Sequence, residues 1–95
     1  RYEVRLADDV ERPVTKRAAI AGPCCETGDI MSMDAAVPEL RRGDVLAVPL
    51  TGAYAFSMFN GYNATPRPGV IFASGGKARE AVRRQSLEDL LAGQI

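Results

Sequence analysis

Cys25 and Glu26 set a thiol beside a carboxylate within Gly-Pro-Cys-Cys-Glu-Thr-Gly-Asp, residues 22–29. A thiol ionises near pH 8.5, so at neutral pH it is mostly protonated yet readily gives up its proton. That suits a general acid returning a proton to a carbon centre. Cysteine is also among the most often buried residue types and is frequently inert. The dipeptide alone leaves both readings open, and Gly22, Pro23 and Gly28 favour the first by putting the thiols on a loop, where sites concentrate. Glu26 can orient the thiol, hold a cationic substrate group, or be a solvated loop carboxylate. Asp29 reads as a turn or cap residue. A second Gly-bounded loop, Gly52-Ala53-Tyr54, offers an amphipathic ring and a hydroxyl. Tyr54 is equally readable as a buried core tyrosine.

The bulk numbers narrow the chemistry. Twelve basic residues balance twelve acidic ones in 95 residues, which argues against nucleic acid or an anionic membrane as partner. No run approaches the roughly 18 apolar residues of a membrane span, and nothing at the start resembles a signal peptide. Cys24 and Cys25 are the sole cysteines and are neighbours; a bridge between adjacent residues is strained. The expectation is a reduced, cytoplasmic protein. With no His in the chain, Ser-His or Cys-His catalysis and the usual zinc sites cannot be built within it, so no metal site is expected. The chain opens on Arg1 and enters a strand-like pattern at once, which suggests an excised domain whose missing sequence is N-terminal.

Several short elements must hold these loops. Tyr2, Val4 and Leu6 alternate with charged residues as in a half-buried strand. A turn over 8–13 leads to a second, Ala-rich strand, Val14 to Ala21. Ile30 to Met33 reads as a short strand before a Pro38-Glu39 turn. Val45 to Val48 is an apolar run short enough to be buried on both faces, ended by Pro49. Residues 51–69 are irregular, with a helical turn conceivable from Ala53 to Met58, and a loop of that length is usually functional or mobile. Val70 to Ala73 and Lys77 to Arg84 flank Ser74-Gly75-Gly76 as a hairpin. Ser86 caps a C-terminal helix carrying Leu87, Leu90 and Leu91 on one face and ending near Gly93, with Asp89 at the capping-box position. Five to seven strands and one helix make a mainly β chain, a small Greek-key-type barrel or sandwich with a short C-terminal helix.

Gly22, Cys25, Glu26, Gly28 and Asp29 are followed by Gly43-Asp44, Gly52-Ala53-Tyr54, Ser57-Met58 and Tyr62-Asn63. Arg67-Pro68 and the ending Arg83-Arg84…Asp89-Leu90-Leu91 continue the series. In this order the motifs resemble the C-terminal domain of diaminopimelate decarboxylases, in the alanine-racemase-like group of pyridoxal-phosphate (PLP) enzymes. The resemblance runs from about residue 20 to the end. It implies that residues 1–95 are a single C-terminal β domain, its PLP-binding N-terminal TIM barrel lying outside this sequence. It further implies that Cys25 is the catalytic proton donor and that Glu26 binds the substrate's distal amino group. Tyr54 would touch both cofactor and substrate. A homodimer is implied, with the Cys25–Glu26 loop completing the opposite subunit's site. The substrate would be a small amino acid, meso-2,6-diaminopimelate, converted to L-lysine and CO2. Glu26, where ornithine and arginine decarboxylases usually carry Asp, favours that branch. Lys16 and Lys77 fall outside any motif and do not read as cofactor lysines. Phe59-Asn60-Gly61 departs from the usual Ser-Met-Ala-Ser-Asn-Tyr-Asn pattern. That departure keeps a related PLP decarboxylase for another basic or carrier-bound amino acid open. The remaining alternative is a non-catalytic β-barrel interaction module.

Overall fold

A computed structural model describes residues 3–95; Tyr2, placed in the first strand by its alternation, lies outside them. The described residues are mainly β, in three two-stranded antiparallel sheets. β1 (Arg5–Leu6) pairs with β4 (Leu46–Ala47), β2 (Val14–Ala21) with β3 (Ile30–Pro38), and β5 (Val70–Ser74) with β6 (Lys77–Val82). These ladders do not close into a barrel among the described residues. Contacts group the chain into two units, the first ending at Ser57 and the second running Met58–Ile95.

In the first unit, β2 and β3 form a long hairpin whose register shifts between Val14 and Lys16 and twice between Ala18 and Ala21. Each shift is a bulge, which bends the strand and increases its twist. β3 is nine residues long, where the sequence suggests a strand stopping near Met33. Asp34 and Pro38 look like breakers, yet neither acts as one. Asp34 is exposed and takes the Arg17 guanidinium through both carboxylate oxygens, and Pro38 forms the last pair, opposite Val14, where a missing N–H is tolerated. Between them Ala35 and Val37 point inward at 3% and 2% exposure, buried like Val4 and Leu6. Ala18, Ile20, Leu40, Leu46 and Val48 pack partly buried around them. Fully burying a Val or Leu side chain stabilises by roughly 1.5–3 kcal/mol, so in a core this small Val4, Leu6 and Val37 each carry a large share.

The run Val45 to Val48 is not a strand covered on both faces. Only Leu46 and Ala47 pair, with β1 alone, and Val45 is 57% exposed; a strand with one short neighbour has no second ladder to cover it. Gly43-Asp44 ahead of it is a turn. Gly43 takes φ +96, and the Asp44 carboxylate accepts the Arg41 N–H at 2.7 Å and the Arg12 guanidinium at 2.9 Å. The Arg41 amide first, and the Arg12 charge with it, hold Asp44 below the usual carboxylate range. Arg12 also donates to Asp9 and to the Glu39 carbonyl, tying the β1–β2 connection to the β3–β4 connection.

In the second unit, Gly75 and Gly76 turn the β5–β6 hairpin with φ +58 and +73, the left-handed pair that a two-residue turn demands. Gly69 permits a close approach, since a Cβ there would lie 3.0 Å from the Val82 carbonyl oxygen. Arg67 and Gln85 lock the open end: Gln85 N–H donates to the Arg67 carbonyl at 3.0 Å, and Arg67 N–H donates to Gln85 Oε1 at 2.9 Å. The C-terminal helix is Leu87–Leu91. Ser86 and Asp89 complete the capping box, so the shorter Asp suffices where Glu is preferred. Arg83 clamps Asp89 with two nitrogens at 2.8 and 3.2 Å. Arg83 first, with the Ser86 amide, pushes the Asp89 carboxyl well below its ordinary range. Leu87 and Leu91 stay exposed.

Candidate active-site loop

Ala21 pairs with Ile30, so residues 22–29 are the loop closing the β2–β3 hairpin. Two backbone bonds shape it: Gly22 N–H donates to the Asp29 carbonyl at 2.8 Å, and Asp29 N–H donates to the Glu26 carbonyl at 3.2 Å. The second belongs to a 3-10 turn, Thr27–Asp29. The Asp29 side chain then turns back into the loop, where Oδ2 accepts the Cys24 N–H at 2.6 Å. Its carboxylate fills the space that a side chain on Gly22 would need. Glu26 lies against Gly28, whose hypothetical Cβ would stand 3.1 Å from Oε1. Both cysteines are thiols, Cys24 half-buried and Cys25 exposed; Glu26 is exposed too. A short loop closed by its own hydrogen bonds thus presents an exposed cysteine and an adjacent carboxylate.

Tyr54 sits on a turn, Gly52–Ala55, that is not helical at its centre. Ala53 has φ −66, ψ 128 and Tyr54 φ 69, ψ −27, the angles of a type II turn with tyrosine where glycine is usual. The helical turn suggested over Ala53 to Met58 is therefore interrupted at its start by Ala53 and Tyr54, and Phe56 has helical angles. The Ser57 hydroxyl donates to the Tyr54 carbonyl at 3.1 Å. Tyr54 as a residue is 76% exposed, the opposite of a core tyrosine.

A family profile described as "Pyridoxal-dependent decarboxylase, C-terminal sheet domain" matches residues 2–52. The chain belongs to the pyridoxal-dependent decarboxylases. The chain is 44% identical over 91 residues to the diaminopimelate decarboxylase of Bacillus subtilis, covering 96% of this chain and 21% of that protein. It is 45% identical over 98 residues to that of Actinosynnema pretiosum, covering 100% and 22%. Among solved structures it is similar to the diaminopimelate decarboxylase of M. jannaschii, with TM-score 0.87, 31% identity, and 99% and 21% of the two chains covered. A further M. jannaschii structure, in complex with L-lysine, matches with TM-score 0.81 and 34% identity over 88% of this chain and 19% of that one. The chain thus spans about a fifth of the length of the curated relatives it matches.

Within the decarboxylase domain, Cys25 and Glu26 share one loop tip and Tyr54 stands on a separate turn. Lys16 pairs with Glu39, and Lys77 opens β6 beside the two-glycine tip, so neither lysine lies on the Cys25 loop or the Tyr54 turn. A depression of about 420 Å³ lies elsewhere in the first unit, lined by residues including Asp9, Arg12, Glu39 and Arg41, with Arg12 already engaged by Asp9 and Asp44. Among the described residues no three His, Cys, Asp or Glu side chains cluster to hold a metal ion. No helix among them is long and apolar enough to cross a membrane. Sequence reasoning missed the reach of Asp29. The available signal was a glycine and an aspartate seven residues apart at the two ends of a hairpin loop.

Proposed function

We propose that residues 1–95 are the C-terminal β domain of a PLP-dependent decarboxylase that converts meso-2,6-diaminopimelate to L-lysine and CO2. The observation that carries this reading is the hairpin loop 22–29, which exposes Cys25 and Glu26 together in a chain similar along almost its whole length to diaminopimelate decarboxylases. PLP is held mainly by an N-terminal TIM barrel beyond these residues, and when bound it supplies the electron sink for the pair left by departing CO2. Tyr54 fits a contact to cofactor and substrate: it is largely exposed on a type II-like turn. The Cys25 thiol delivers a proton to the decarboxylated carbon and is left as a thiolate, which solvent reprotonates before the next cycle. Glu26 holds the substrate's distal ammonium by a charge-assisted hydrogen bond, which favours a substrate with cationic groups at both ends.

The loop serves the site of the opposite subunit in a homodimer, the three ladders belong to a Greek-key-type barrel or sandwich, and the enzyme works in the cytoplasm. A decarboxylation assay of the full-length protein, with diaminopimelate, lysine, ornithine and arginine side by side, tests the reading. CO2 release from diaminopimelate with L-lysine as product is expected. Preference for ornithine or arginine would overturn the substrate assignment, and no release from any of the four would overturn the enzymatic one.

A further inference from the structure

The carboxylate of Asp29 does more than end a turn. Its backbone carbonyl takes the Gly22 N–H at 2.8 Å, and its side chain reaches inward to take the Cys24 N–H at 2.6 Å. Cys24 immediately precedes Cys25, so the second bond fixes the plane of the peptide unit leading into Cys24 and the start of the Cys24–Cys25 step. The Asp29 N–H reaches the Glu26 carbonyl at 3.2 Å, so one residue grips the chain on both sides of Cys25. The carboxylate is half-buried and needs a particular void: a Cβ on Gly22 would collide with both its oxygens and its Cγ. Gly22 has no positive φ to explain its presence, which leaves the collision as its physical reason.

We infer that Asp29 is a positioning residue for the Cys25–Glu26 pair, acting through the Cys24 amide, and that Gly22 is its matched vacancy. This rests on the decarboxylase reading of Cys25. A rigid hairpin end alone does not fix an eight-residue loop, whose tip residues have exposed side chains. A charge-assisted hydrogen bond from a backbone amide is strong enough to select one conformer. Misplacing a reacting group by about 1 Å costs on the order of 10²-fold in rate.

The test uses the full-length protein carrying Asp29→Ala, Asp29→Asn, Gly22→Ala, or Gly22→Ala with Asp29→Ala. Asp29→Ala should lower kcat about 10²-fold, and Asp29→Asn, whose amide oxygen still accepts the Cys24 N–H, should recover to within about fivefold of wild type. Gly22→Ala should match Asp29→Ala by displacing the carboxylate without removing it. The double variant should be no worse than Asp29→Ala alone, because the collision has gone. Amide exchange in the 22–29 peptide provides a readout independent of turnover: protection at Cys24 should persist in wild type and Asp29→Asn and vanish in Asp29→Ala and Gly22→Ala. Where Asp29→Ala does not fold, Gly22→Ala and Asp29→Asn carry the same comparison. A kcat within about twofold of wild type for the two alanine variants, unchanged exchange in either, or additive losses in the double variant would overturn the inference. A wild-type protein that decarboxylates nothing overturns the function instead, and the exchange data still decide the role of Asp29.

Discussion

Replacing Tyr54 by alanine and, separately, by glycine separates the ring from the backbone beneath it. Both changes delete the phenol, so any difference between them comes from the main chain. Tyr54 has φ 69, a left-handed conformation that costs a residue with a Cβ roughly 1–2 kcal/mol. Glycine escapes this but loses more freedom on folding, about 0.5–1 kcal/mol. Tyr54→Gly should therefore be more stable than Tyr54→Ala by about 0.5–1 kcal/mol. The ring itself contributes little in this chain, since Tyr54 as a residue is 76% exposed. With a urea slope of about 1–2 kcal/mol/M, the midpoint for glycine should lie roughly 0.5 M above that for alanine. Urea titration of the 95-residue chain, followed by circular dichroism, measures this. In the full-length enzyme both variants should lose turnover alike, because the phenol is missing from each. An alanine variant at least as stable as the glycine variant would refute the left-handed strain at Tyr54.

Cys25→Ala should lower turnover about 10²–10⁴-fold, the usual contribution of a general acid, and far more than Cys24→Ala, which keeps the amide bonded to Asp29; steady-state kinetics on both variants checks it, and equal losses would remove Cys25 as the donor. Glu26→Gln should raise the KM for diaminopimelate about tenfold while cofactor content, read by absorbance, stays constant. Mixing two inactive full-length variants, one lacking the cofactor lysine of the proposed barrel and the other carrying Cys25→Ala, should restore about a quarter of wild-type activity if the loop serves the opposite subunit of a symmetric dimer; no recovery despite proven subunit exchange would place the loop in its own subunit's site. Asp89 is held below the usual carboxylate range by Arg83 and then the Ser86 amide. Its folded pKa is thus below the unfolded value of about 3.9, so its stabilisation is complete above about pH 5 and is lost as pH falls further. Thermal midpoints from pH 7 to 3 should drop less steeply in Asp89→Asn, and high salt should shrink the difference because the pair is exposed.

The parts of this fold readable from sequence are those where one local rule decides. The run Val14–Ala21 is a strand as its composition suggests, the two glycines turn the β5–β6 hairpin, and Ser86 with Asp89 starts the terminal helix. Errors arose where a residue's partner lay across the chain. The strand read over Ile30 to Met33 runs on to Pro38 because Arg17 stands opposite the Asp34 carboxylate, and Val45 looks like a buried residue until β4 proves to have one short neighbour. The loop bearing Cys25 and Glu26 was legible from its glycines and proline. The inward turn of Asp29 was not, because a side-chain-to-backbone bond across five residues leaves no periodic trace. Tyr54 was legible as a candidate from its place in Gly52-Ala53-Tyr54, whereas its left-handed backbone contradicts the ordinary preference of its residue type.

The two-glycine tip of the β5–β6 hairpin gives the chain a seam that protein engineering could open. No heavy atom outside the immediate neighbours lies within 4 Å of a side chain built on Gly75 or Gly76, and the ladder runs in register from Ser74↔Lys77 back to Ile71↔Glu80. An affinity tag or fluorescent reporter spliced between the glycines would enter open solvent. The same point could serve as a new pair of termini in a circularly permuted chain, since exposed loop tips of this kind tolerate both operations best. Such a handle sits on a different strand pair from the Cys25 loop, so the domain could be tethered or tracked while that loop keeps its native sequence and connections.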